Sequence, residues 1–173
     1  MKNCLIFVAN PNQKSFGHQM ATSFKNGINN SGNSAEIIDL YALDYENNYC
    51  SANDQFKEMI LKADSMAFAF PIWWEMPPSP LVKFLQTIFV KDFAYTHDGV
   101  KKTNLIDKNV AILATMGQKK HVSFEYLFEA FEYCGMNATA IVVASGVNPS
   151  FTTDDANKAL DRAFTVGSHF FRN

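Results

Sequence analysis

Three short segments of this 173-residue chain combine residue types suited to holding a charged, flat ligand. The first is Asn10-Pro11-Asn12-Gln13-Lys14-Ser15-Phe16-Gly17, where an apolar run passes directly into a helical pattern. Unpaired backbone N–H groups at such a junction, a Ser hydroxyl and the helix dipole make an anion site that fits a phosphate. The segment has neither the GxxxxGKS/T of a P-loop nor a GxGxxG fingerprint. Ser15 serves it either as a phosphate ligand or simply as the helix cap.

The second segment is the most informative: Phe70-Pro71-Ile72-Trp73-Trp74-Glu75-Met76-Pro77-Pro78-Ser79-Pro80. Both tryptophans of the protein sit in it, at the end of an apolar run. Successive side chains of an extended chain point to opposite sides, so at least one indole is expected to face a cleft or a partner. Four prolines stiffen the loop and lower the entropic cost of holding a flat guest. A hydrophobic plug or a dimer contact is the competing reading.

The third segment, Thr115-Met116-Gly117-Gln118, follows another apolar run, and Gly117 lets main-chain amides approach a ligand. Lys119, Lys120 and His121 come next, within reach of a phosphate or substrate unless they are plain loop residues. A fourth cluster, Phe93-Ala94-Tyr95-Thr96-His97-Asp98-Gly99, is expected to cross the same rim of the sheet. Tyr95 and His97 there either line a pocket or pack ordinarily. No GxSxG is present, so a hydrolase reading is poor.

The elements that would position these segments follow from periodicity. Cys4 to Ala9 is a continuous apolar run, the mark of a strand covered on both faces. Met20, Ala21, Phe24 and Ile28 form one helical stripe, ended by Asn29-Asn30-Ser31-Gly32. Ala35 to Leu40 predicts a second strand. A polar stretch from Asp44 to Asp54 precedes a helix carrying Phe56, Met59, Ile60 and Ala63. Ser65 to Phe70 predicts the third strand. Ser79-Pro80 then opens a helix, with Ser79 as cap and Leu81, Phe84, Leu85, Ile88 and Phe89 facing inward. Asn109 to Thr115 predicts the fourth strand, followed by a helix from Ser123 that buries Phe124, Leu127, Phe128 and Phe131. Ala138 to Ala144 predicts the fifth strand. The last helix starts near Thr152, with Asp154 and Asp155 suited to its positive end.

Five apolar strands alternating with helices mean a doubly wound α/β domain, and right-handed crossovers leave few topologies. The order 2-1-3-4-5, flavodoxin-like, is the simplest at this length, as a single domain over residues 1–173. Ligands of such sheets bind at the carboxyl ends of the strands, where strand order reverses. Here that point lies between strands one and three, beside the three segments above.

Composition narrows the function classes. A net charge of −2 with intermixed signs gives no concentrated basic face for nucleic acid. It also disfavours a dedicated electron carrier, whose surface is usually one-signed for steering. The six-residue apolar run at the N-terminus is too short for a signal peptide or a membrane span. Cys4, Cys50 and Cys134 lie far apart without CxxC, as reduced thiols in a cytoplasmic protein would. The four histidines show no ligand spacing, so no metal is expected. Aromatic residues make up 14% of the chain, a surplus that suits both a core and the stacking of a planar guest.

With these motifs in order, the sequence resembles the NAD(P)H:quinone oxidoreductase family of flavodoxin-like proteins. The family pattern HPxxxSxN, FPLYWxxxPxxLKxW, GxAYxxxG, strand-TTGG and YCGM is echoed by NPNQKSFG, FPIWWEMPPSPLVKFL, DFAYTHDG, AILATMGQ and FEYCGMNA. The resemblance implies a flavin whose phosphate is held by Asn10, Ser15, Phe16 and Gly17. It implies that Pro71, Ile72, Trp73 and Trp74 line the isoalloxazine and that Thr115, Met116 and Gly117 close its other side. Tyr95 would face the substrate pocket from the neighbouring subunit of a homodimer, and His121 is the remaining candidate to support transfer. FMN is favoured over FAD because the chain is short. The implied reaction takes hydride from NAD(P)H and passes it, in a second step, to a quinone, azo or nitro acceptor. Some relatives instead act as flavin-binding regulatory subunits of a membrane transporter, and a flavodoxin-type carrier is a further alternative. Asn10 stands where the pattern has His, the proline-rich loop is a residue longer, and Gln118 replaces the second Gly.

Overall fold

The computed structural model of the chain describes residues 1–42, 49–96, 103–119 and 121–172. His97, Asp98, Gly99, Lys101, Lys102, Lys120, residues 44–48 of the polar stretch and the Cys50 side chain lie outside the described residues.

Five strands alternate with five helices: β1 (Asn3–Val8), α1 (Phe16–Asn30), β2 (Ser34–Asp39), α2 (Tyr49–Lys62), β3 (Ser65–Pro71), α3 (Ser79–Ile88), β4 (Asn109–Met116), α4 (Glu125–Tyr133), β5 (Asn137–Ser145) and α5 (Thr153–His169). The strands form one parallel sheet in the order β2-β1-β3-β4-β5, the predicted order. Strand bounds fall within a residue of the sequence expectation. Three helix starts differ. The structure begins α2 at Tyr49, inside the stretch read as polar loop. Ser79 is already the first residue of α3, capped by Pro78 without a side-chain bond, because consecutive prolines set the extended backbone from which the helix departs. At α4 the first helical residue is Glu125, and Ser123 Oγ accepts from its N–H.

Strand periodicity splits the core cleanly. Leu5, Phe7, Met66, Phe68, Phe70, Val110 and Ile112 face α2, α3 and α4. Their neighbours Cys4, Ile6, Val8, Ala67, Ala69, Ala111 and Leu113 face α1 and α5. The aromatic surplus goes mainly to the first face: Phe68 stacks on Phe7 at 5.5 Å and on Phe131 at 5.2 Å between ring centres. Alanines on the second face let α1 and α5 settle close to the sheet and to each other. At their crossing, a Cβ on Gly27 would lie 2.1 Å from the Phe164 carbonyl oxygen, and one on Gly167 would lie 2.2 Å from the Phe24 carbonyl oxygen. The two backbones touch there, and only glycine permits it.

Cys4 and Cys134 are buried and unbridged, as expected. Burial pushes the Cys4 thiol up to about 12 and the Cys134 thiol to about 11. Both therefore stay protonated in the folded chain at pH 9, where unfolded thiols begin to ionise. Stability held by neutral burial is complete below pH 9 and is lost as pH climbs through about 11 to 12. In native protein at pH 8, iodoacetamide should leave both thiols unlabelled, with peptide mass spectrometry as the readout. Fast labelling of either one, without denaturant, would contradict this burial.

Candidate functional site

Because β3 lies on the opposite side of β1 from β2, the chains leaving β1 and β3 diverge and open a crevice at the carboxyl edge of the sheet. The loop after β1 is built from its own polar side chains. Asn12 N–H donates to Asn10 Oδ1 at 2.9 Å, Lys14 N–H donates to Asn12 Oδ1 at 2.9 Å, and Ser15 N–H donates to the Asn12 carbonyl at 2.9 Å. These bonds curl the backbone into the α1 N-cap, where Ser15 Oγ accepts from His18 N–H at 3.3 Å. The cap reading of Ser15 therefore holds. It leaves the first-turn N–H groups of Phe16 and Gly17 without intrahelical partners, as in any helix start.

A recess of about 290 Å³ opens over this turn. Its lining includes Asn10, Ser15, Phe16, Gly17, Pro71, Ile72, Trp73, Thr115, Met116 and Gly117. All the residues expected to bind a ligand thus meet in one place, except Trp74. Asn10 and Thr115 are nearly buried, at 7% and 5% exposure. The Asn10 amide NH2 and the Thr115 hydroxyl have no hydrogen-bond partner among the described residues. Neither is among the polar atoms sealed from solvent without a partner, so both meet water in the recess and are available to a ligand there.

The second wall comes from the loop after β3. Trp73 and Met76 exchange both backbone hydrogen bonds at 3.0 Å, closing a two-residue turn over Trp74 and Glu75. Both turn residues have positive φ, 54° and 65°, the conformation of a type I′ turn that normally takes Asn-Gly. Non-glycine residues held this way store about 1–3 kcal/mol each, a cost that clusters at ligand sites. The turn sends neither indole into the core: Trp73 is 45% exposed and Trp74 93%. A wider recess of about 670 Å³, lined by Ile72, Trp73, Trp74, Glu75, Met116, Gly117 and Gln118, continues from the first. Four of its residues line both, so the cleft runs unbroken from the α1 N-terminus to the tryptophan turn.

The loop after β5 also belongs to the site and was missed in the sequence. Val147 lines the inner recess, and its N–H donates to the Met116 carbonyl at 2.9 Å. Asn148 Nδ2 donates to the Gly117 carbonyl at 2.8 Å and steadies the third segment. The same carboxyl-edge rule that picked out the other loops covers this one.

The two residues expected to act on substrate are not gathered by this cleft. His121 is exposed between β4 and α4 and lines neither recess. The described part of the fourth cluster, residues 93–96, does not lie at the same rim: Ala94 N–H donates to Val90 O, and Asn104 N–H donates to Phe93 O, just before β4. α3 runs antiparallel to the strands, so its end lies at the amino edge. Tyr95 packs there on Tyr133 at 5.6 Å between ring centres. Among the described residues no group of His, Cys, Asp and Glu could hold a metal ion, and no helix is long and apolar enough to cross a membrane.

An anion-binding helix start that continues into a slot with aromatic and aliphatic walls suits a planar aromatic molecule carrying a phosphate. Known proteins bear on this geometry. A Haemophilus influenzae protein named as an uncharacterized NAD(P)H oxidoreductase is 25% identical over 183 residues, spanning 91% of this chain and 90% of its own. An NAD(P)H:quinone oxidoreductase from Methanothermobacter marburgensis superposes with a TM-score of 0.78 at 20% identity, over 98% of this chain and 96% of that one. An FMN-dependent NADH-azoreductase from Bacillus anthracis, solved in complex with FMN, superposes with a TM-score of 0.79 at 16% identity, over 98% and 99% of the two chains. At such identities the likeness of the solved structures is one of fold. The family model described as "Flavodoxin-like fold" matches residues 2–165, from the start of β1 into the last turns of α5. The sheet order read from the sequence and the match over nearly its whole length agree: the chain belongs to the flavodoxin-like fold family.

Proposed function

We propose that this chain is a single-domain, flavin-dependent NAD(P)H oxidoreductase that holds FMN in the cleft and reduces quinone- or azo-type acceptors. One observation carries the reading. A helix start flanked by two polar side chains that reach into the recess, Asn10 and Thr115, opens into an aromatic slot at the β1/β3 switch point. The nearly buried Asn10 amide and Thr115 hydroxyl fit FMN, which brings acceptors for both. The names of the Haemophilus relative and of the fold neighbours support the class of reaction.

FMN, when bound, exchanges two electrons between a nicotinamide and an acceptor, chemistry that no side chain of the protein supplies. The chain's residues have other tasks. The Phe16 and Gly17 amides, Ser15 and Asn10 hold the phosphate and fix the ligand's depth. Ile72, Trp73 and Met116 would hold its ring, with Thr115 and the amide of Gly117 as hydrogen-bonding partners. Trp74, Glu75 and Gln118 shape the wider outer recess, which has room to hold a second planar molecule beside the cofactor and so would supply rate by proximity. Tyr95 reaches such a site only from another copy of the chain, because its own cleft lies at the opposite edge of the sheet. A homodimer in the cytoplasm is therefore part of the proposal, with Tyr95 as its contribution to the acceptor pocket and His121 left as a loop residue.

The protein's two tryptophans both border the cleft, so FMN should quench most of its indole fluorescence. Saturable quenching, a yellow protein after gel filtration and NAD(P)H oxidation with a soluble quinone or azo dye are the expected results. Unchanged emission up to about 100 µM FMN would remove the proposal. Trp73→Ala should weaken FMN about tenfold, as loss of one aromatic stack implies. Trp74→Ala, at the tip of the turn, should weaken it about threefold, measured by titration of flavin fluorescence.

A further inference from the structure

His18 sits behind the anion site, on the first turn of α1, and none of the family motifs includes it. Its ring bridges two elements. Nδ1 lies 3.0 Å from Ser15 Oγ, and Nε2 lies 3.9 Å from Asp39 Oδ2 at the end of β2. The two side chains are only 15% and 19% exposed. Asp39 is itself oriented: Tyr41 N–H donates to Oδ1 at 2.9 Å and the Gln13 amide donates to Oδ2 at 3.5 Å. Among the described residues Asp39 is the acidic side chain that faces the ring. Ser15 and Gln13 of the preceding loop are neutral, and Lys14 is exposed.

The arrangement constrains where the Ser15 proton points. Ser15 Oγ already accepts from His18 N–H, and it has one proton to give. Asp39 favours a proton on Nε2. In the neutral ring Nδ1 is then a bare acceptor, which takes the Ser15 proton and turns oxygen lone pairs toward the recess. That face repels an anion. In the imidazolium Nδ1 carries its own proton and donates to Ser15 Oγ, so the Ser15 O–H is released to the recess. While Asp39 keeps a proton on Nε2, it is the imidazolium that lets Ser15 donate to a phosphate, and it adds a positive charge behind the site.

We propose that His18 is a positioning residue that sets the direction of the Ser15 hydrogen bond and couples capture of a phosphate monoester to protonation of its own imidazole. The inference rests on the flavin reading above and deepens it, since it makes His18 a determinant of FMN over riboflavin.

The test is calorimetric titration of the intact chain with FMN and with riboflavin at pH 7.0, 7.75 and 8.5, in phosphate-free buffers of different ionisation enthalpy. The FMN phosphate is a dianion throughout this range, its second pKa being about 6. FMN binding should take up as much as one proton and weaken about tenfold across the range, while riboflavin takes up none and binds evenly. His18→Gln should abolish the proton uptake and the pH slope for FMN and leave riboflavin affinity within about twofold, which also reports an intact fold. Asp39→Asn, which frees the ring to place its proton on Nδ1 without charge, should flatten the slope. FMN binding without proton uptake in the wild type, or a pH slope retained in His18→Gln, overturns the role of His18 alone. Failure of both flavins to bind overturns the flavin reading and this inference together.

Discussion

Gly27→Ala should lower the melting temperature by roughly 6–12 °C. The Cβ would meet the Phe164 carbonyl oxygen at 2.1 Å and Ser168 N at 2.8 Å. Both are backbone atoms of α5, so no side-chain rotation makes room, and α5 must move off α1. Overpacking against rigid neighbours costs about 3 kcal/mol, and in a chain of this length each kcal/mol moves the midpoint by about 2–4 °C. Asn26→Ala, one residue away on the exposed face, provides the control and should change stability by less than about 0.7 kcal/mol. Gly167→Ala should behave as Gly27→Ala does, since its Cβ meets the Phe24 carbonyl oxygen at 2.2 Å. The double variant should be clearly less than additive, because helices already pushed apart accept the second methyl at little further cost. Additive losses in thermal denaturation would show that the two glycines act independently, against the shared crossing.

Ser15→Asp should leave the fold intact and remove FMN binding. Aspartate caps a helix as well as serine does, and its charge suits the positive end of α1, so stability without ligand should hold or rise by about 0.5 kcal/mol. The carboxylate would occupy the rim of the recess that Ser15 lines beside Asn10, Phe16 and Gly17. A phosphate placed there meets a like charge, a penalty of about 3 kcal/mol, or about 100-fold in affinity. Riboflavin lacks the phosphate and should lose less than about threefold. Paired titrations of the two flavins, with a melting curve for the variant, read out all three expectations. If FMN binds the variant as it binds the wild type, Ser15 is a helix cap and nothing more.

Much of this molecule is legible along the chain. The apolar runs marked the five strands to within a residue, because a strand covered on both faces must be apolar at consecutive positions. Strand order followed from connectivity, since right-handed crossovers of this length admit few arrangements. The same rule sent the segments after β1, β3 and β4 to one edge, and the structure brings ten of their residues around one recess. Helix starts were less legible. At α3 the caps of Ser and Pro compete at neighbouring positions, and Pro78 won over Ser79.

What depended on the fold were relations between residues that periodicity does not connect. The type I′ turn that presents Trp73 and Trp74 needs positive φ at two residues, neither of them glycine, a strain no propensity foretells. The link from Ser15 through His18 to Asp39 joins a loop, a helix and the next strand. The Gly27–Gly167 crossing joins positions 140 residues apart in the sequence. Tyr95 was placed by the antiparallel course of α3, which carried it to the far edge of the sheet from the cleft. Local patterning of apolar and polar residues sets which elements form and in what order, because burial acts on each segment by its own period. Which side chains meet at their ends is a matter of distances across the packed molecule, and only the assembled tertiary structure decides those.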